Sequence, residues 1–100
     1  MKKQMARRPK VKVVWRPLGK ERAWGQAETD ASRPVIEIDP RLSAKRELET
    51  LCHEAIHVAF PDMPEKDVDR AGKVVSDVLW SQNFRRVHQG KHTTPVRITE

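Results

Sequence analysis

The sequence lacks the paired cysteines and the long apolar segments that are typical of secreted and membrane proteins. Its one cysteine, Cys52, excludes a disulfide framework within the chain, which is typical of proteins from a reducing compartment. No apolar segment follows the basic N-terminal stretch MKKQMARRPK, so we predict neither a signal peptide nor a membrane span. We therefore expect a cytoplasmic protein that does not use a membrane as a partner.

The chain is also too short for more than one small domain. Its 100 residues contain no internal repeat, and a domain of this size has a thin core. A bound metal ion is one of the devices that help such a small domain to hold its shape.

The net charge of +6 is unevenly distributed. Residues 1–25 carry nine Lys and Arg against one acidic residue, and residues 81–100 carry four against one, so both ends are basic. Residues 26–80 carry seven basic against twelve acidic residues. A basic arm can contact nucleic acid or an acidic partner, or it can be a solvated tail. The arms lack the interleaved aromatic residues of nucleic-acid-binding segments, which favours the solvated tail.

Composition divides the chain into three parts. Residues 1–10 are basic and without periodicity, as expected of a disordered arm. Residues 11–82 contain the periodic apolar patterns of a folded domain. Residues 83–100 form a basic C-terminal tail, in which Gly90 and Pro95 interrupt any pattern.

Three short segments of the central part predict strands. VKVVW at 11–15 is apolar and β-branched, and AWGQAET at 23–29 is a weaker candidate. VIEID at 35–39 alternates apolar and acidic residues, as a strand with one buried face does. Stretches rich in Pro, Gly and Asp separate the three segments and predict turns.

Two helices are predicted after the strands. Ser43 is a suitable N-cap for a helix of about 16 residues, in which apolar residues recur at spacings of three and four. Pro61 ends this helix. A second helix begins near residues 62–65 and continues its own apolar stripe to Trp80. The predicted fold is therefore α+β: a small, twisted, mostly antiparallel sheet of two or three strands packed on two main helices.

The stretch HEAIH at 53–57 lies inside the first predicted helix. Residues four apart project from the same side of a helix, so His53 and His57 can direct ring nitrogens at one ion. Zinc fits that spacing, with Zn–N distances of about 2.0–2.1 Å. Glu54 is turned by about 100° from His53, which suits it to take a proton from a water on an open metal position. We predict one Zn²⁺ site here, and the alternative is a partly buried, hydrogen-bonded pair of histidines.

With the VIEID strand before it and DMPEKDVDRAGKVVSDVLW after it, HEAIHVAF resembles the zincin-like metallopeptidases in their smallest, gluzincin-type form. The resemblance covers residues 11–82. It implies a peptide or protein substrate, His53 and His57 as zinc ligands, and Glu54 as the general base of peptide-bond hydrolysis. It further implies that Val35–Asp39 pairs with the substrate, that an acidic residue of the next helix is the third ligand, and that the source is bacterial or a phage.

Five acidic residues follow the motif on or near the second helix: Asp62, Glu65, Asp67, Asp69 and Asp77. Glu65 lies in the first turn of that helix and has the longer reach, so we predict it as the third ligand. Asp69, one turn further along the same side, is the alternative. Asp62 is better placed to cap the helix, Asp67 lies nearer the apolar stripe, and Asp77 is too far along.

Cys52 precedes the first histidine of the motif. A zinc thiolate and a Cys–His nucleophile are both conceivable roles for it. Consecutive residues diverge by about 100° around a helix, however, so Cys52 points into the apolar stripe. We expect a buried structural thiol.

The chain has no tyrosine that could stabilise an oxyanion in a transition state. His88, His92, Arg85 and Arg86 are the residues that could replace it. His88 and His92 are four apart, but Gly90 between them argues against a helix that would present them together.

An alternative function is a basic module that binds nucleic acid or protein, with a zinc site that is structural or catalytically silent. Structural zinc sites are closed by four protein ligands, whereas hydrolytic sites keep one position for water. The number of protein ligands therefore separates a hydrolytic zinc site from a structural one.

Overall fold

The computed structural model describes residues 8–19, 24–29 and 33–87. These contain three strands and two helices: β1 (Lys12–Trp15), β2 (Gly25–Glu28), β3 (Val35–Ile38), α1 (Ala44–Ala59) and α2 (Glu65–Ser81). Each element corresponds to one of the segments predicted from the sequence, and the predicted α+β fold is confirmed. Most of the predicted N-terminal arm and most of the predicted C-terminal tail lie outside the described residues.

The sheet is mixed, with the strand order β1-β3-β2. β1 runs parallel to β3, with Lys12 opposite Val35, and β2 runs antiparallel to β3, with Gly25 opposite Ile38. One of the two pairings is therefore parallel, although the sequence pattern had suggested mostly antiparallel pairing. The last of the three described strands, β3, lies in the middle of the sheet, an order that local patterns do not specify.

The central position of β3 overturns one prediction. Both edges of β3 are hydrogen-bonded to neighbouring strands, so an extended peptide cannot add to it. The prediction that Val35–Asp39 pairs with the substrate is therefore wrong.

α1 begins and ends where the sequence predicts. The Ser43 Oγ accepts a hydrogen bond from the Arg46 amide at 3.3 Å, as an N-cap does. At the other end the Phe60 amide donates to the Ile56 carbonyl at 2.8 Å. Pro61 follows directly and cannot continue the helix.

α2 begins directly after Pro64, which occupies the N-cap position and provides no side-chain hydrogen bond. The prediction that Asp62 caps this helix is therefore wrong. Glu65 and Asp67 lie in the first turn, where their negative charges face the positive end of the helix dipole. The Pro64 carbonyl accepts hydrogen bonds from the amides of Asp67 and Val68 at 2.9 and 3.0 Å, so α2 begins with a backbone contact and without a capping side chain.

The chain turns back at the end of α2 in a Schellman motif. Asn83 adopts a φ of 68°, and the amides of Asn83 and Phe84 donate to the carbonyls of Trp80 and Leu79. The guanidinium of Arg85 then lies 3.3 Å from the centre of the Trp80 ring. The first residues after α2 therefore pack against the domain.

α1 is the middle layer of the described fold. It packs on β2 and β3 with one face and on α2 with another, whereas α2 contacts α1 and none of the three strands described. The most buried apolar residues are Leu18, Ile36, Ile38, Cys52 and Val68. Burial raises the pKa of the Cys52 thiol, which suits the structural role predicted for it. Neither α1 nor α2 has the length and apolar composition that crossing a lipid bilayer requires.

Asp39 joins the end of β3 to the loop after β1. Its Oδ2 accepts a hydrogen bond from the amide of the fully buried Leu18 at 3.1 Å. The carboxylate also accepts hydrogen bonds from the Arg41 side chain at 2.7 and 2.9 Å and from the Arg41 amide at 3.0 Å. These bonds, above all those of the Arg41 side chain, hold the pKa of Asp39 well below its usual range.

We expect Asp39→Asn to lower the free energy of unfolding at pH 7, and the difference from the wild type to shrink in acid. The ionised Asp39 carboxylate stabilises the fold at pH values above its pKa in the unfolded protein, which is about 3.9. This stabilisation is lost as the pH falls through the lower pKa that the carboxyl group has in the folded protein. Urea denaturation at pH 7 and pH 3 measures both effects. Asp62→Asn, at an exposed position in the turn between the helices, is the control. An equal destabilisation by Asp39→Asn at both pH values would contradict this account.

Candidate metal centre

The two histidines of the HEAIH motif lie side by side on α1. Their ring centres are 5.0 Å apart with an angle of 65° between the ring planes. The side chains of His53 and His57 are 19% and 26% exposed, so each ring is largely buried but remains accessible to solvent. The spacing of four residues thus has the effect predicted for it, because both rings project from one side of the helix.

Glu65, at the start of α2, reaches both rings with one carboxylate. Its Oε2 lies 3.0 Å from the His53 Nε2 and its Oε1 lies 2.9 Å from the His57 Nε2. Candidate ligand atoms of these three residues lie within 4.8 Å of one another, so the three residues could hold a metal ion. Within residues 8–19, 24–29 and 33–87 this is the one such group of three or more.

The other acidic residues considered as ligands occupy different positions. The Asp69 Oδ1 lies 3.9 Å from the His53 Nδ1, on the side of the ring that faces away from Glu65. Asp77 pairs with Lys45 at 3.1 Å, far from the motif along α2. Asp62 and Asp67 are exposed and belong to no metal-binding group in the described part of the chain.

Glu54 lies in the same cleft as the two histidines but is far more buried, at 8% exposure. Burial is the largest influence on its carboxyl group and raises the pKa of Glu54. Nearby His53 and His57 lower this pKa, and the negative charge of Glu65 raises it. A buried carboxyl group with a raised pKa beside a solvent-accessible cleft is suited to exchanging a proton with a bound molecule.

Gly72 allows α1 and α2 to approach each other at the site. A Cβ atom at position 72 would lie 3.1 Å from the Cα and 3.3 Å from the amide nitrogen of His53. These distances are shorter than ordinary carbon contacts, so a larger residue would push the two helices apart. Because Glu65 is on α2 and the histidines are on α1, the helix separation decides whether the carboxylate reaches both rings.

β2 forms the opposite wall of the cleft. Gly25 makes this approach possible, since a Cβ atom there would lie 2.6 Å from the Thr50 Cγ2 of α1. The cleft has a volume of about 360 Å³ and is open to solvent. Its lining combines α1, the start of α2 and β2: Gly25, Gln26, Ala27, Thr29, His53, Glu54, His57 and Glu65.

The residues of β2 are the part of the site that the sequence analysis missed. One signal was present, because a glycine inside a strand pattern indicates a bulge or a close approach of another backbone. Gly25 in AWGQAET is such a glycine. The alternation of that segment was too weak to show which wall of the cleft it would form.

The residues considered as oxyanion stabilisers do not line this cleft in the described part of the chain. The Arg85 guanidinium stacks on Trp80, and the Arg86 guanidinium lies 3.7 Å from the centre of the Trp15 ring. His88 and His92 lie outside the described residues.

The comparison with known families agrees with this arrangement. A family model described as Peptidase_M78, IrrE N-terminal-like domain, matches residues 6–74, which are 69 of the 100 residues. The matched range contains the three strands, α1 and the part of α2 that carries Glu65. No curated protein and no solved structure gave a match.

We expect Gly72→Ala to destabilise the protein. In an ordinary helix interior this change stabilises by about 1 kcal/mol, but an extra carbon in a filled space costs about 1–3 kcal/mol. At Gly72 the steric cost should exceed the gain in helix propensity, because the nearest atoms belong to the backbone of α1. Urea denaturation gives the difference in free energy of unfolding.

Gly19→Ala is the control for this substitution. Position 19 has no atom within 4 Å of an added Cβ, so its stability should change by less than about 0.5 kcal/mol. A Gly72→Ala variant as stable as the wild type would mean that the helices are not in close contact at the site.

Proposed function

The chain belongs to the Peptidase_M78 family by its IrrE N-terminal-like domain, and on this basis we propose that it is a zinc-dependent peptidase domain that hydrolyses peptide bonds. The observation that carries the proposal is the single Glu65 carboxylate within 3.0 Å of the Nε2 atoms of both His53 and His57. Three donor atoms from two helices converge there on one point beside a cleft.

The donor set supports zinc over other common ions. Two imidazole nitrogens and one carboxylate oxygen match the three protein ligands of hydrolytic zinc sites, which leave a fourth position for water or substrate. Magnesium and calcium prefer sites made of oxygen atoms alone. His53, His57 and Glu65 would hold the ion, which supplies polarisation of the scissile carbonyl and a lowered pKa for an attacking water.

Glu54 has the role of general base in this proposal. Its carboxylate accepts the proton of the attacking water and then donates it to the amine of the leaving peptide. Burial raises the pKa of Glu54 toward neutral pH, which suits a group that must both accept and release a proton there. Its place in the cleft between β2 and α1 puts it beside any substrate that occupies the cleft.

β2 is the strand we propose for pairing with the substrate, in place of β3. One edge of β2 is paired with β3, and Gln26, Ala27 and Thr29 line the cleft. Within the described residues no strand pairs with the other edge of β2. An extended peptide can add to such an edge through backbone hydrogen bonds, which would lay its scissile bond across the metal centre.

The open shape of the site affects which substrates it accepts. Among the described residues the cleft is open to solvent and is lined by β2, the second half of α1 and the first residue of α2. We therefore expect unfolded or extended segments as substrates, with limited selectivity for individual side chains.

The number of protein ligands favours peptide-bond hydrolysis over a structural zinc site in a binding module. A structural site needs four protein ligands, and the described residues bring three together. The basic arms could still bind nucleic acid, and Glu54 in the cleft is a feature that such a module would not need.

We expect protein purified without added metal to contain one equivalent of zinc by elemental analysis. Glu65→Ala should weaken zinc binding by more than about 100-fold, since even substitutions outside the ligand shell cost about 10- to 100-fold. Asp67→Ala, two residues away on the same helix, is the matched control and should bind zinc as the wild type does. Equal zinc affinity of the two variants would remove Glu65 from the site.

We expect Glu54→Gln to keep its zinc and to lose cleavage. Loss of a general base lowers the rate by about 100- to 10,000-fold, whereas the amide retains the size of the side chain. Cleavage of a degenerate library of unstructured peptides, followed by mass spectrometry, measures the rate. Zinc-loaded Glu54→Gln that cleaves as fast as the wild type would exclude Glu54 as the base, and a zinc-loaded wild type that cleaves nothing would favour the silent alternative.

A further inference from the structure

The side of α1 that faces the sheet carries a row of buried polar residues. Glu47, Thr50 and Glu54 are 2%, 5% and 8% exposed. Their spacings of three and four place them on one side of the helix. The row ends in the cleft, which Glu54 lines. Thr50 therefore lies one helical turn before the proposed general base, in the buried layer where α1 packs on β2.

The hydroxyl group of Thr50 has no hydrogen-bond partner within the part of the chain that the structure describes. Burying a hydroxyl without such a bond costs free energy of folding, and a valine of the same shape would avoid this cost. The packing of α1 on β2 therefore does not by itself require a threonine at position 50. A buried polar group without a partner needs a further explanation, and a role in catalysis is one.

Contact with β2 fixes the orientation of the Thr50 side chain. A Cβ atom at position 25 would lie 2.6 Å from the Thr50 Cγ2, so the methyl group fills the space that Gly25 leaves on β2. The methyl and the hydroxyl are attached to the same Cβ atom, so holding one also holds the other. A partner for the hydroxyl must therefore come to it.

Glu54 is better placed than Glu47 to reach this hydroxyl. Side chains on an α-helix tilt toward its N-terminus, so the long Glu54 side chain lies over the turn that contains Thr50. The Glu47 side chain tilts away from Thr50 by the same rule. Its Oε2 already lies 3.9 Å from the Nη1 of Arg86, a cationic partner on the other side.

We propose that Thr50 is a positioning residue that orients the general base Glu54 by donating a hydrogen bond to one oxygen of its carboxylate. The inference rests on the proposed peptidase function. The other carboxylate oxygen stays directed at the cleft, where the attacking water would lie. Cβ atoms of residues four apart on a helix are about 5–6 Å apart, a gap that rotation of the Glu54 side chain closes without moving the backbone.

The proposed base has need of such a partner. Burial and the charges of His53, His57 and Glu65 act on the Glu54 carboxyl group, but no hydrogen bond from a described side chain does. A catalytic group works best when a further group fixes its orientation. The Thr50 hydroxyl is a buried donor on the same helix that has no other described partner.

The test compares Thr50→Val with the wild type as zinc-loaded full chains. Valine keeps the shape of the side chain and removes only the hydroxyl. For a peptide selected from the degenerate library, kcat should fall by about 10- to 100-fold, because the base is present but misplaced. KM and zinc affinity should not change, since Thr50 neither lines the cleft nor belongs to the metal-binding group. Thr50→Ser, which restores a hydroxyl, should recover part of the rate.

Ser76→Ala is the matched control. Ser76 is a buried residue of α2 whose hydroxyl has a partner, the Lys73 carbonyl at 3.2 Å, and it does not line the cleft. Its removal should leave kcat unchanged. Thr50→Val should unfold at a urea concentration close to that of the wild type, because an apolar group of the same shape replaces the hydroxyl. A loss of rate in Thr50→Val is then not a loss of folded protein.

A second measurement reports the contact without zinc and without substrate. In ¹³C NMR spectra of zinc-free protein labelled at the glutamate carboxyl carbons, Glu54→Gln and Glu47→Gln assign the two signals of interest. The Glu54 signal should shift in Thr50→Val and return toward its wild-type position in Thr50→Ser. The Glu47 signal should shift less.

Two kinds of result would contradict the inference. Wild-type kcat in Thr50→Val, or an unchanged Glu54 signal, would show that the hydroxyl does not orient the base. A shift of the Glu47 signal alone would also overturn the inference, because the hydroxyl would then bond Glu47. A zinc-loaded wild type that cleaves nothing would overturn the proposed function instead, whereas the Glu54 signal would still show whether Thr50 contacts Glu54.

Discussion

The contact between α1 and α2 is the constraint on which the candidate site depends. His53 and His57 are on one helix and Glu65 is on the other, so three donors converge only where the helices are close. Gly72 provides that closeness by placing no side chain against the His53 backbone. Since α2 packs on α1 alone among the described elements, an ion shared by the two helices would also tie α2 to the domain, and metal binding and folding would be coupled.

Features set by short-range spacing were predictable from the sequence. The histidines four apart had to share a helix face, and Ser43 and Pro61 marked the two ends of α1. The burial of Cys52 followed from its position in the apolar stripe. Glu65 was favoured over Asp69 because it lies near the turn between the helices and has the longer side chain, and the structure brings that carboxylate to both rings.

Features that depend on strand order were not predictable in the same way. A strand that alternates apolar and acidic residues, such as β3, has the same pattern in the centre of a sheet as at its edge, so its pairing with β1 and β2 could not be inferred. Neither could the position of β2 beside the metal centre, which depends on the fit of Gly25 against Thr50. The cap of α2 was assigned to Asp62 because aspartate is a common N-cap, whereas Pro64 occupies that position and contributes only its backbone carbonyl.

Zinc K-edge X-ray absorption of the zinc-loaded protein tests the central claim most directly. The account predicts two imidazole rings and light oxygen or nitrogen neighbours at about 2.0–2.2 Å from the ion, with no sulfur in the shell. Glu65→Ala should change the oxygen contribution and leave the imidazole signals. A sulfur neighbour at about 2.3 Å, or a shell with fewer than two imidazoles, would contradict a centre built by one carboxylate of α2 across two histidines of α1.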